Sequence, residues 1–246
     1  MEFIEACWPA PRDVRAVATT RIGGVSEPPF DSLNLAQHVG DSAEAVRANR
    51  ERLRAALGLA REPCWLAQVH GAEVVMAGAC DEPPIADASF SRERGLACAV
   101  LTADCLPVLL CSRAGDCVAA AHAGWRGLAA GVIEAAVAAL NTPPGELLAW
   151  LGPAIGPAAY EVGDEVRECF VDLDARNTAA FAVNERGRWQ ADIRALARSR
   201  LKAAGVTAVS GGDDCTYADP SRFYSHRRDG TCGRMAALIW LESLRV

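Results

Sequence analysis

Three side chains in the first half of this chain are of types that bind a metal or attack carbon: His70, Cys105 and His122. Each stands where an apolar segment breaks into a turn of small residues. The strings are Ala67-Gln68-Val69-His70-Gly71, Leu101-Thr102-Ala103-Asp104-Cys105-Leu106-Pro107 and Ala121-His122-Ala123-Gly124-Trp125-Arg126-Gly127. The chain has only four histidines, so two of them in such turns is selective. Two imidazoles and one thiolate are suitable ligands for a zinc whose fourth position is open to water or substrate. The same residues also allow a Cys105 nucleophile with a histidine base. Their spacing fits no compact zinc motif, so the residues alone leave both chemistries open.

The flanking residues extend each option. Gly124 and Gly127 either let backbone N–H groups approach an anion or let the turn pack tightly. Arg126 between them offers a guanidinium fork. Asp104 can orient a ligand, act as an acid or base, or cap a turn. A second cluster combines Asp214-Cys215-Thr216-Tyr217 with Phe223-Tyr224-Ser225-His226-Arg227-Arg228-Asp229-Gly230. Paired arginines beside aromatics suit an anionic ligand that carries a ring, or else a solvated turn.

The elements that must position these residues are mixed helix and strand. Asp41-Ser42-Ala43-Glu44 predicts a capping box with Asp41 as N-cap. The helix after it presents Val46, Asn49, Leu53 and Leu57 on one face and stops near Gly58. Leu96–Thr102, Pro107–Cys111, Cys117–Ala121, Leu147–Leu151 and Met235–Leu241 read as buried strands. Arg113–Asp116 reads as a hairpin turn. Gly127–Leu140, Gly163–Phe170 and Ile193–Ala204 read as helices, the last capped by Asp192 and stopped by Gly205. The class is α/β, or α+β mixed. Asp81–Pro84 and Asn141–Gly145 are short enough to be surface loops, so residues 1–246 are expected to form one domain.

Composition bounds the partners. Half of the 246 residues are hydrophobic, enough for a sizeable core. A formal charge of −6 without a long basic run argues against nucleic acid. No apolar run approaches a membrane span. Met1-Glu2-Phe3-Ile4-Glu5-Ala6-Cys7 lacks the basic n-region of a signal peptide. The ten cysteines are scattered without a CxxC pair, which predicts a reducing cytoplasm and buried thiols. No dimer face is legible, and a monomer is the default.

Taken together, the motifs resemble the YfiH family, also called the laccase-domain or polyphenol oxidase family. They run from Thr20-Arg21-Ile22-Gly23-Gly24-Val25-Ser26 and Ser32-Leu33-Asn34-Leu35 through His38-Val39-Gly40-Asp41 and the three strings above. They end at Gly152-Pro153-Ala154-Ile155-Gly156-Pro157, Glu161-Val162-Gly163 and Ser225-His226-Arg227-Arg228. The resemblance covers nearly the whole chain. It departs from the family at Ser89-Phe90, after Asp87-Ala88, and at Cys232. It implies a four-layer α/β/β/α sandwich with mixed sheets, and His70, Cys105 and His122 as ligands of zinc, with copper binding possible in vitro. It further implies a cytoplasmic enzyme that phosphorolyses adenosine, inosine, guanosine and 5′-methylthioadenosine and deaminates adenosine.

The residues test these implications. Four histidines cannot furnish a multicopper cluster, although a single Cys-His₂ copper remains possible. For deamination, an open zinc activates water, and Asp104 and Glu161 are candidate acid/base residues. Phosphorolysis needs cations for phosphate, and the pool is Arg21, Arg47, Arg126, Arg227 and Arg228. Asn34 and Asp87, from the family strings, join the candidate substrate-binding set. The alternatives are a Cys105/His122 amidase acting on cell-wall peptide precursors, a copper-dependent polyphenol oxidase, and a metal-stabilised binding scaffold.

Overall fold

The computed structural model describes residues 1–78 and 82–243, so Asp81 of the first expected loop lies outside the described residues. The chain opens with β1 (Phe3–Glu5), β2 (Val14–Thr19), α1 (Ala43–Leu57), β3 (Val74–Met76), β4 (Ala88–Ser91) and β5 (Cys98–Thr102). It continues through β6 (Leu106–Ser112), β7 (Val118–Ala123), α2 (Trp125–Ala130), α3 (Val132–Ala139) and β8 (Leu147–Leu151). Then come β9 (Glu161–Val162), α4 (Asp164–Leu173), β10 (Phe181–Val183), β11 (Trp189–Ala191) and α5 (Ile193–Ala203). The last elements are β12 (Ala208–Gly211), α6 (His226–Asp229) and β13 (Met235–Leu241).

Two sheets dominate. One is antiparallel, in the order β1-β2-β13-β5; the other is mixed, in the order β12-β8-β6-β7-β4-β3. Side chains on successive strand residues point to opposite faces, and this alternation defines the layers. In β6, Leu106, Val108 and Leu110 pack with α3 and α5, while Leu109 and Cys111 face the first sheet. In β13, Ala237 and Ile239 face β6 and β7, while Ala236, Leu238 and Trp240 pack outward with Leu53 of α1. The sequence of layers is therefore α1, four-stranded sheet, six-stranded sheet, α2–α5, which is the expected α/β/β/α sandwich. Strands buried on both faces need apolar residues at every position, and β6, β7 and β13 are buried along their whole length. A small third sheet, β10-β11-β9, flanks the helical layer.

Local chemistry accounts for most boundaries and corrects two. The N-cap of α1 is Ser42, whose Oγ accepts from Ala45 N at 3.3 Å, and not Asp41. Asp41 is drawn inward instead, accepting from Ser26 Oγ at 2.6 Å and Asn34 Nδ2 at 2.9 Å. The helix ends at Gly58 with φ 65°. The expected helix over 127–140 is two helices, because Gly131 takes φ 95° and ends one as it starts the other. Asp192 caps α5 as expected, accepting from Arg194 N and Ala195 N. Among the described residues no helix is long and apolar enough to cross a membrane. Free thiols at Cys98, Cys111 and Cys117 are buried fillers, but Cys7 and Cys169 are exposed. Burial pushes both Cys98 and Cys111 up to about 12.

Candidate metal centre

The β6–β7 hairpin supplies two of the three ligand candidates. Pro107 pairs with His122 across it. Ala120 of β7 faces the space between the sheets, and by the two-residue period so does His122. Cys105, two residues before Pro107, is set on the same side. The pair therefore stands diagonally at one end of the inter-sheet core. His70 comes from the loop before β3 and adopts φ 61°.

Asp87 brings the loop and the strand together. Its carboxylate accepts from the backbone N–H groups of Val69 (3.1 Å), His70 (2.9 Å) and Gly71 (2.7 Å). The same carboxylate lies 2.8 Å from His122 Nδ1. A proton on Nδ1 donates to Asp87 and leaves Nε2 for the cluster. Asp87 is fully buried, and although burial disfavours its charge, His122 and the loop amides hold its pKa below the usual carboxylate value.

The ligand atoms of His70, Cys105 and His122 all lie within 4.8 Å of one another. Cys105 Sγ is 3.8 Å from His70 Nε2. Adjacent ligand atoms on a tetrahedral zinc are about 3.3–3.6 Å apart, so the donor set fits such an ion after a small contraction. Burial pushes the Cys105 thiol up, but the charges and hydrogen bonds of His122 and His70 outweigh it and bring it down to about 6. Burial pushes His122 down, but Cys105 and Asp87 outweigh it and hold it up at about 9. Each group thus favours the charged form of the other, thiolate beside imidazolium.

The glycines serve packing. A Cβ at Gly124 would meet His70 Cδ2 at 2.7 Å and Cys105 Sγ at 3.1 Å; one at Gly127 would meet the Gly71 carbonyl at 2.7 Å. Gln68 clamps the loop from the other side, exchanging hydrogen bonds with the Leu101 backbone at 2.9 and 2.7 Å.

The cluster opens into a cavity of about 330 Å³. All four histidines line it, together with Arg126 and Arg234, over a floor that includes Leu101, Thr102 and Ala103. Among the described residues no carboxylate side chain lines it, although the chain is acidic overall. A larger cleft of about 460 Å³, beside Arg50 and Trp65, contains none of the clustered residues.

The other residues singled out from the sequence disperse. Asp104, with φ 88°, spends its carboxylate on Thr216 Oγ1 (2.6 Å), Ser225 Oγ (3.0 Å) and Arg227 N (2.7 Å). It is a structural hub outside the cavity lining rather than an exposed acid or base. Glu161 is also outside, paired with Arg186 and Asn184. Asp87 is a positioning residue, with no oxygen left for substrate. Arg21 stacks on Tyr224 and pairs with Asp31 at 3.1 Å. Asn34 is fully buried, bonded to Ala36, Asp41 and the Arg234 backbone. Arg47 is exposed on α1. Arg227 donates to the Glu161 carbonyl at 2.7 Å. Arg228 pairs with Asp229 and donates to the carbonyls of Thr216, Tyr217 and Phe223. Of that pool only Arg126, stacked on Trp125, reaches the cavity.

Sequence reasoning passed over His38, Gln68, His226 and Arg234 as site residues. The signal was the histidine count: with four in the chain, the two left unassigned deserved a place. His226 Nδ1 bonds the Gly230 carbonyl at 2.8 Å, which orients the ring at the start of α6.

A family model described as multi-copper polyphenol oxidoreductase laccase matches residues 15–242. The purine nucleoside phosphorylase YfiH of Escherichia coli is 55% identical over 235 residues, spanning 95% of this chain and 96% of its own. A purine nucleoside phosphorylase of Pseudomonas aeruginosa is 57% identical over 238 residues, spanning 96% of each chain. The crystal structure of a Neisseria meningitidis protein superposes with a TM-score of 0.95 at 50% identity, covering 99% of this chain and 100% of that one.

Proposed function

The chain belongs to the YfiH-like laccase-domain family, and from that premise we propose that it is a zinc-dependent purine nucleoside phosphorylase. Its substrates in this reading are phosphate with adenosine, inosine, guanosine or 5′-methylthioadenosine, and it also deaminates adenosine. The observation that carries the reading is the cavity: a triad able to hold a metal, inside a pocket lined by two arginines and, among the described residues, by no carboxylate. Relatives sharing more than half of their residues with this chain bear the name purine nucleoside phosphorylase. The reading includes a cytoplasmic, monomeric enzyme whose partners are small molecules.

The chemistry makes two demands. Phosphate must sit beneath C1′ while the C1′–N9 bond breaks, the bond's electrons leave with the purine, and a phosphate oxygen bonds C1′. The departing purine must gain a proton. The chain's guanidiniums meet the first demand by holding a dianion in a pocket where, among the described residues, no carboxylate competes. Histidine imidazoles lining the same cavity can deliver a proton to the purine. His70, Cys105 and His122 would hold the zinc, which supplies Lewis-acid polarisation of an oxygen ligand when bound. Asp87 fixes the His122 tautomer, and Gln68 and Gly124 fix the approach of His70.

Product analysis tests the reading. Zinc-loaded protein is given adenosine with and without phosphate, beside Cys105→Ala. Adenine and ribose 1-phosphate, formed only with phosphate and only by the unsubstituted protein, support it. Inosine formed without phosphate supports the deaminase activity. No product in either tube overturns both.

A second reading has one observation in its favour. Asp87, His122 and Cys105 are arranged as orienting acid, base and nucleophile, which is the order of a cysteine amidase. That enzyme would be trapped at Cys105 by an alkylating substrate analogue and would be indifferent to chelators. The cation-lined pocket favours the first reading, because an amide substrate has no need of two free guanidiniums.

A further inference from the structure

Which side chains hold the phosphate can be narrowed further, resting on the phosphorylase reading above. An arginine that seats an exchangeable anion must reach the cavity and must not be neutralised already. Arg21 and Arg228 fail, because Asp31 and Asp229 hold them. Arg227 and Arg47 do not line the cavity. Arg126 passes, but it is exposed and stacked on its own neighbour Trp125.

Arg234 satisfies every condition, and the fold holds it in place. Its backbone N–H donates to the buried Asn34 Oδ1 at 2.9 Å. Its Nη1 donates to the carbonyls of Cys232 (2.8 Å) and Gly233 (3.0 Å), which anchors the guanidinium. A Cβ at Gly233 would meet the Tyr224 ring at 2.6 Å, so this segment is packed too tightly to drift. Nε and Nη2 have no hydrogen-bond partner, and no carboxylate pairs with Arg234, among the described residues. The side chain is half-buried. A partly desolvated cation without a counter-charge is costly, and no carboxylate among the described residues relieves it.

His38 stands beside it. Burial, then the Arg234 and Arg50 charges, push its pKa down, which keeps the imidazole neutral and able to donate one hydrogen bond. Its ring makes no hydrogen bond among the described residues, and it lines the same cavity. A guanidinium edge and an imidazole N–H, both unpaired and both facing one pocket, complement a tetrahedral oxyanion.

We propose that Arg234, assisted by His38, is the seat of the phosphate dianion, and that Arg126 is an auxiliary cation at the cavity's exposed wall. The same seat holds the phosphoryl group of ribose 1-phosphate when the reaction runs in reverse.

Steady-state kinetics and direct binding of inorganic phosphate test this on the full-length, zinc-loaded protein. Arg234→Met and His38→Phe are compared with Arg52→Met, an exposed arginine of α1 away from the cavity. Losing charge-assisted hydrogen bonds should raise the phosphate KM of Arg234→Met about 10- to 100-fold. The nucleoside KM should stay within about threefold, and zinc content should not change. Arg234→Lys, which keeps the charge and loses the fork, should fall between the two and guards against a simple folding defect. His38→Phe should give a smaller rise, about 3- to 10-fold. An unchanged phosphate KM in both Arg234 variants overturns the seat. If the unsubstituted protein turns nothing over, the phosphorylase reading fails, and equilibrium dialysis with radiolabelled phosphate still decides the seat. Saturable binding lost in Arg234→Met supports it; equal binding by the two proteins refutes it.

Discussion

Asp87→Asn removes one charge and changes one atom from acceptor to donor, at the carboxylate on which the centre depends. Oδ1 serves His70 N and His122 Nδ1; Oδ2 serves Val69 N and Gly71 N. An asparagine amide can present its oxygen to only one of these pairs. Its NH₂ must face two N–H donors on the other side. Hydrogen bonds to a charged acceptor contribute about 1.5–3 kcal/mol each, and a buried donor left unpaired costs about 1–3 kcal/mol. Loop relaxation recovers part of this, so a net loss of about 2–4 kcal/mol of stability is expected, with the fold retained. The metal should suffer as well, because removing an outer carboxylate partner of a histidine ligand typically weakens binding about 10- to 100-fold. The assay is competition for zinc against a chromophoric chelator, run beside a thermal melt. A folded Asp87→Asn protein that binds zinc with undiminished affinity would refute the assignment of Asp87 as the organiser of both histidines. The pH dependence carries the same sign. A carboxylate held below its unfolded value contributes stability that is present above that value and lost as pH falls through its folded value. The Asp87 contribution should therefore vanish at acid pH, and wild type and Asp87→Asn should converge there.

Three further outcomes follow from the geometry. Gly124 has an ordinary φ of −66°, so Gly124→Ala introduces no backbone strain but drives a methyl into His70 Cδ2. It should melt close to wild type while losing most of its zinc, and full zinc occupancy would contradict the packing role. In metal-free protein the rate of Cys105 alkylation by iodoacetamide should rise with pH around a midpoint near 6, and zinc should suppress it; a midpoint near 9 would mean that the histidines do not stabilise the thiolate. Asp104→Ala strips two partners from the α6 segment, Ser225 and Arg227, and a third from Thr216, so it should raise the backbone amide exchange of residues 225–229 with a smaller change in zinc affinity. An equal fall in both would place Asp104 in the centre itself.

The layers were legible because doubly buried strands must be apolar at every position. β6, β7 and β13 therefore stand out as runs, and the caps of α5 and the stop of α1 are written in single residues. β3 and β9–β12 are two to four residues long, too short for a period to register. The break at Gly131 is hidden inside alanines, since only its φ reveals it. The site divides in the same way. His70, Cys105 and His122 were legible because few side chains do what they do. The acids and the arginines were not, because the letter gives the charge but not its partner. Asp87 and Asp104 lie beside irregular turns, whose backbone N–H groups have no strand or helix to satisfy them. A carboxylate next to such a turn is consumed by it before it can reach substrate. The chain's 31 acidic residues and its many loop carbonyls likewise capture most arginines. An arginine free to bind a ligand is recognised only by what its neighbours leave undone. That is how Arg234 differs from Arg228, which stands in the more conspicuous motif and is already neutralised by the aspartate next to it.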